Sequence, residues 1–236
     1  MAKKRPTTKH SIAHIVEKQV RNWELARAQR EAKARPNDQK ICDFVSISHS
    51  PGLPTGELAT QLGETLVWPV FDRRILHEMA DNDQYRERIY QYMDERDLGW
   101  LEEMVLGMTG EELRPDDYFR NLVETVLSIA LRGHAIFVGH ATDLVLPAGH
   151  GLRVRVIASR DYCAKARAEA YGRDLDKAAK ELEAMEEKRV QFVQRHFHTD
   201  AREETRHDLV LNLERFSTEE ALALILAALR IRGIKC

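Results

Sequence analysis

The sequence predicts an α/β protein: a five-stranded parallel sheet with helices on both faces, preceded by an N-terminal helical arm. Five short apolar or β-branched runs are separated by stretches with helical spacing, the pattern of a parallel sheet covered on both sides. The composition also shifts near residue 40, from a basic, Arg/Ala/Glu-rich stretch to alternating strand and helix patterns. The expected division is a basic helical extension over residues 1–40 and an α/β domain over 41–236. In open sheets of this kind ligands bind beyond the carboxyl ends of the strands. That directs attention to the loops 48–56, 72–73, 140–150 and 159–163.

Residues 11–35 read as a helix, with Ser11 as its cap and Ile12, Val16, Val20 and Trp23 at helical spacing. The apolar stripe then dies out, and Pro36-Asn37-Asp38 stops the helix. Its first half can dock on something, while its second half has nothing to bury. Ile41–Ile47 is the first strand, and a loop with two glycines and two prolines leads to a helix over Glu57–Leu66. Val67–Phe71 is a brief strand ending at Asp72. Residues 73–107 read as helices with a turn near Asp81-Asn82-Asp83, and a polar loop over Gly107–Pro115 precedes a helix over Asp116–Arg132. Strands follow at Ala135–Gly139 and Leu152–Ala158. A charged, lid-like helical segment spans about 160–197. Strand Asp208–Asn212 and a last helix, opened by the capping box Ser217-Thr218-Glu219-Glu220, complete the order.

Several classes are excluded. The 236 residues, 43 % hydrophobic and 31 % charged, hold no apolar run near the roughly 18 residues needed to span a bilayer. Met1-Ala2-Lys3-Lys4-Arg5 has no apolar stretch behind it, so no secretory signal is read there. Cys42, Cys163 and Cys236 form neither a disulfide framework nor a metal-ligand spacing, and a cytoplasmic location follows by elimination. Residues 1–40 hold 11 Lys or Arg against Glu17, Glu24, Glu31 and Asp38, a net of +7 on a chain whose total is −2. Such an arm can contact an acidic partner or its own domain. No base-reading motif accompanies it, so nucleic acid is not an expected partner. His196 and His198 near Asp200 straddle a helix end rather than one face, so no protein metal site is assigned.

The loop after the first strand is where a phosphate cradle would sit. Such a cradle needs free backbone N–H groups, glycines permitting close approach, and a cation facing the phosphates. The run Ser48-His49-Ser50-Pro51-Gly52-Leu53-Pro54-Thr55-Gly56 offers Gly52 and Gly56, but its two prolines have no N–H. Neither Lys nor Arg occurs from Ser48 to Leu66. Thr55 retains a hydroxyl suited to Mg²⁺ or phosphate. By motif alone this is an ordinary βα connection.

The order of segments adds a resemblance. Ile47-Ser48-His49-Ser50-Pro51-Gly52-Leu53-Pro54-Thr55-Gly56-Glu57-Leu58-Ala59, then Trp68-Pro69-Val70-Phe71-Asp72-Arg73, resembles the opening of the cytidylate-kinase-like family. There the pattern is I-S-R-x-x-G-S-G-G-x-x-I-A, followed by a residue pair with Pro and an aromatic-Asp before the next helix. Ala135-Ile136-Phe137-Val138-Gly139-His140-Ala141 with Val145-Leu146-Pro147 is similar to its V-I-x-G-R-G-A…I-L-P stretch. Glu186-Glu187-Lys188-Arg189 is similar to its lid, and His207-Asp208-Leu209-Val210-Leu211-Asn212 to its closing strand. The resemblance covers about residues 41–230. It implies a P-loop nucleotide-kinase fold that transfers a phosphoryl group from ATP, with Mg²⁺, to a nucleoside monophosphate such as CMP.

Against that pattern the cations are depleted. The family's serine-glycine-glycine run falls on Leu53-Pro54-Thr55, making a degenerate Walker A-type loop. Its arginines fall on His49, His140, Cys163 and Ala166, while Arg189 survives. Removing one charge-stabilising donor commonly costs about 10²–10³ in rate, so slow or lost transfer is the expectation. The alternative is an inactive nucleotide-kinase fold that binds a nucleotide or a partner. The resemblance marks Arg189 and Asp72 as catalytic candidates. For nucleotide or phosphate it marks Ser48, His49, Gly52, Thr55, Gly56 and His140, with Arg73 and Arg160 as neighbouring substitutes. Asp72 either binds a base or ribose or caps the next helix.

Overall fold

The computed structural model describes residues 9–31, 41–93, 95–109, 117–139 and 141–234. Within them the five strands are β1 (Phe44–His49), β2 (Val70–Asp72), β3 (Ala135–Val138), β4 (Leu152–Ile157) and β5 (Leu209–Asn212). They form one parallel sheet in the order β2-β3-β1-β4-β5. The helices are α1 (Lys9–Glu31), α2 (Gly56–Leu66), α3 (Arg73–Ala80), α4 (Asp83–Tyr90), α5 (Glu95–Thr109), α6 (Asp117–Arg132), α7 (Thr142–Val145), α8 (Arg160–Tyr171), α9 (Leu175–Phe197) and α10 (Thr218–Ile231). No helix among the described residues is long and apolar enough to cross a membrane.

Alternation along the strands divides the core in two. Phe44, Phe71, Ala135 and Phe137 face a layer that includes α1, α3 and α6. Val45, Ile47, Ile136, Val154, Val156 and Leu211 face a layer built from α2, α8, α9 and α10. Such two-sided burial explains why β3 reads as a continuous apolar run. Where sequence and structure differ, helix ends are the cause. Val67 is β-branched and reads as strand, but it is the left-handed C-cap of α2 at φ 55°, so β2 begins only at Val70. Ser11 lies inside α1 rather than before it, and the loop 140–150 contains the short helix α7. The helical region 160–197 is a hairpin, broken at Gly172 (φ 60°) and reopened by Asp174, whose carboxylate accepts from the amides of Asp176 and Lys177. Gly107–Pro115 is helical as far as Thr109, and its remaining residues, like Pro36-Asn37-Asp38, lie outside the described residues.

The N-terminal helix is integral to the core. Val16, Val20 and Trp23 are fully buried, and Trp23 Nε1 donates to the Ile129 carbonyl at 3.1 Å. The indole lies so close to Gly133 that a Cβ there would meet Nε1 at 2.5 Å, which explains a glycine at the start of the α6–β3 turn. Gln19 Oε1 accepts from the Val70 amide at 3.0 Å, satisfying a donor on the edge strand. Arg88 of α4 is held by Glu17 (2.8 Å) and Glu24 (2.9 Å), so two of the arm's acids are spent on its own domain.

A buried polar network braces the sheet face that carries Ser46, Ser48, Arg153 and Arg155. Arg153 donates from Nε to the Asp143 carbonyl (3.0 Å) and from Nη2 to the Leu146 carbonyl (2.6 Å), tying the end of α7 to β4. Asp143 accepts from Arg206 Nε at 2.7 Å and lies 3.5 Å from His207 Nε2, joining α7 to the approach of β5. Asp208 accepts from the Arg153 amide (2.7 Å) and Arg232 (2.5 Å), securing the β5 edge.

Two outcomes are expected. Trp23→Ala should lower stability by about 3–5 kcal/mol, the usual cost of truncating a buried aromatic, read as a shift in denaturant midpoint. Burial raises the Asp143 carboxyl, but His207 and Arg206 outweigh it and hold the group at about 2, against an ordinary 3.8. That depression contributes about 2 kcal/mol of stability. The contribution is complete above about pH 4 and fades as the pH falls toward 2. The stability gap between wild type and Asp143→Asn should therefore be full at neutral pH and shrink in acid, measured by urea unfolding at several pH values.

Candidate functional site

The loop after β1 turns inward upon itself. The Ser50 amide donates to Val156 (3.0 Å), Leu53 to Ser50 (3.2 Å) and Thr55 to Leu53 (3.0 Å). Pro51 and Pro54 have no N–H, so most donors that a phosphate would use are absent or spent. Gly52 has φ 80°, a conformation glycine adopts freely, and its α-carbon faces α9. A Cβ built there would stand 2.5 Å from Leu182 Cδ2 and 3.3 Å from the Cys163 carbonyl. Leu53, Cys163, Ala164 and Leu182 belong to one buried apolar cluster. Cys163 is thus a core residue, with its thiol pKa raised by burial.

The other residues read from the sequence are dispersed around this loop. Thr55 is buried at the N-cap position of α2 but makes no side-chain cap hydrogen bond. Gly56 opens α2 with open space where a Cβ would point. Asp72 caps α3, its Oδ1 accepting from the amides of Arg74 (2.8 Å) and Ile75 (2.9 Å). Arg160 is 86 % exposed and pairs with Glu183 of α9 at 3.9 Å, so it extends along the hairpin. Arg189 is held in a two-pronged bond to Glu186 (2.9 and 2.7 Å), and its Nη1 donates to the Ala201 carbonyl at 2.8 Å. His140 lies outside the described residues. His196 stacks on Phe119 with centroids 4.2 Å apart and His198 is the left-handed cap of α9, so neither pairs with the other toward a metal.

A second group gathers around His49. Its Nδ1 lies 3.0 Å from the Ser50 carbonyl, which can only accept, so Nδ1 carries the proton. Burial lowers the His49 pKa; the hydrogen bond to Ser50 opposes that, and the charges of Arg155, Arg189 and Arg73 lower it further. The ring is therefore neutral at neutral pH and has no donor left for a ligand.

Arg155, which sequence reasoning passed over, is the central cation of this group. It lies on β4 in register with Ser48, is only 8 % exposed, and donates from Nη1 to Ser48 Oγ at 2.8 Å. Burial lowers its pKa, and the nearby Arg189 charge lowers it further. No carboxylate of the described residues lies within 4.0 Å of it, because Glu186 is engaged by Arg189 and Asp143 by Arg206. Arg73, exposed at the first turn of α3, likewise has no ion pair among the described residues. The available signal was the alternation Leu152-Arg153-Val154-Arg155-Val156 opposite Ser46 and Ser48, which places polar groups on one face of two interior strands. A cleft of about 330 Å³ lined by Ile41, Trp100, Met104, Leu131 and Pro147 lies at the opposite, amino-terminal end of the sheet.

Comparison with known proteins agrees with this layout. No curated protein matches the chain. Among solved structures, an uncharacterized protein from Eubacterium ventriosum ATCC 27560 is similar with a TM-score of 0.64 and 14 % identity, covering 82 % of this chain and 99 % of that one. Weaker likenesses are a shikimate kinase from Bacteroides thetaiotaomicron (TM-score 0.43, 14 % identity, 80 % and 98 % covered) and a gluconokinase from Sinorhizobium meliloti 1021 (0.45, 15 %, 80 % and 94 %). The family profile described as cytidylate kinase-like matches residues 44–215, which hold all five strands and both helices of the 160–197 hairpin. The parallel sheet, the loop after β1 and the basic group beside it thus lie within a matched region, and the chain belongs to the cytidylate kinase-like family.

Proposed function

We propose that this chain is a nucleotide-binding member of its family that takes a nucleoside monophosphate of the CMP type, with phosphoryl transfer from ATP slow or lost. The observation that carries the reading is the state of the loop 50–56. Leu182 packs on Gly52, two prolines and three amides already bonded to backbone carbonyls leave few donors, and no cation lies in the loop. In this arrangement the loop does not fit the triphosphate of ATP·Mg²⁺. No phosphoryl-transfer step is therefore derived, since that chemistry depends on cations and N–H groups around the migrating phosphate.

The acceptor side is better supplied. Arg155, Arg73 and Arg189 all act on His49 at the carboxyl end of β1, where a parallel sheet binds its ligands. Asp72 and Thr55, read from the sequence as candidate ligand contacts, are given helix-end positions here. They enter the proposal as scaffold.

Calorimetry on the full chain tests this reading. Titration with CMP is expected to give binding heat and titration with ATP·Mg²⁺ none, with no nucleoside diphosphate formed when both are supplied. Turnover in the ordinary kinase range, about 1–100 per second, would overturn it.

A further inference from the structure

We infer that Arg155, with Ser48 and Arg73, forms an oxyanion site for the phosphate of a phosphomonoester, set on the face of the sheet rather than in the loop after β1. The inference rests on the nucleotide-binding reading for the rest of the ligand but not for the phosphate.

Arg153 and Arg155 provide an internal comparison. They stand two residues apart on β4, point to the same face and are equally buried at 8 % exposure. Arg153 is tied at two nitrogens, to the carbonyls of Asp143 and Leu146, with the charges of Asp143 and Asp208 nearby; Glu186 and Asp143 act on Arg155 in the same way, but neither forms an ion pair with it. Arg155 has one hydroxyl. A guanidinium carries five N–H donors, so most of its donors have no acceptor among the described residues. Burying a cation without a counter-charge is costly, and such groups persist where a ligand supplies the missing charge. The acids that might serve are already matched, Glu186 by Arg189 and Asp143 by Arg206 and His207. The charge left over is positive.

The chemistry selects the ligand. Planar, forked N–H donors suit the oxygens of a phosphate or carboxylate in a two-pronged contact. Arg73 adds a second cation at the first turn of α3. Ser48 Oγ accepts from Arg155 and keeps its own proton to donate. A terminal phosphate, with charge near −2 and three free oxygens, matches this set better than a single carboxylate does.

The experiment uses the full chain, with CMP, cytidine and inorganic phosphate as probes, in calorimetry and thermal melting. CMP should bind at least tenfold more tightly than cytidine, and inorganic phosphate should raise the melting temperature. Arg155→Met should lose at least tenfold in CMP affinity and lose the phosphate-induced shift, yet melt at or above the wild-type temperature without ligand. Arg153→Met should melt well below it. If CMP binds Arg155→Met as it binds the wild type, or if that variant melts as low as Arg153→Met, the site is overturned while nucleotide binding can stand. If phosphate stabilises the wild type but not Arg155→Met and CMP does not bind, the oxyanion site stands and the nucleotide reading falls. Binding of neither probe overturns both.

Discussion

Two arginines buried on one face of an interior strand constrain much of this molecule. A guanidinium taken out of water must find oxygen, and β4 carries Arg153 and Arg155 into the middle of the domain. For Arg153 the chain provides it: α7 is placed so that the carbonyls of Asp143 and Leu146 meet the guanidinium. Asp143 is then committed to Arg206 and His207, which brings the segment before β5 into place. Ser46 and Ser48 on β1 replace apolar residues opposite these arginines, and Ser46 bonds Thr142 at 3.0 Å to complete the strip. The polar face, α7 and the edge strand are consequences of one requirement.

The two sides of the β1 carboxyl end have been treated differently. On one side the helical hairpin lies down on the loop, with Leu182 against Gly52 and Cys163 in the apolar cluster. Farther along α9, Phe192 and Phe197 pack on Phe119 of α6, so the helix touches both cores. On the other side basic groups remain: Arg155 with no ion pair among the described residues, Arg73 at a helix start, and Arg189 steadied by Glu186. Apolar contacts hold a helix where ions held apart would leave a gap. The loop without cations and the docking of α9 thus meet on the same side.

The basic N-terminal segment has a structural use over its described part. Trp23 fills space beside Gly133, Gln19 satisfies an edge-strand donor, and Glu17 and Glu24 hold Arg88. The apolar stripe that ends at Trp23 marks where helix and core part company, since Leu25 beyond it is more than half exposed.

Much of this was legible in the residues themselves. Strand and helix order, parallel pairing and the family follow from local patterns: β-branched runs, helical spacing, the Ser217 capping box and ordered short motifs. The depletion of loop cations is also visible in sequence, because it is a statement about which residues occur. Contacts at long separation are not, since they depend on which face each side chain takes. His49 and Arg155 illustrate this: the histidine spends its proton on the adjacent Ser50 carbonyl, while the arginine, an unremarkable strand residue in the sequence, reaches Ser48 across 107 positions. Sequence alone thus determined the scaffold and the missing charges. Tertiary structure decided where the remaining positive charge collects, because only folding shows which carboxylates are already taken.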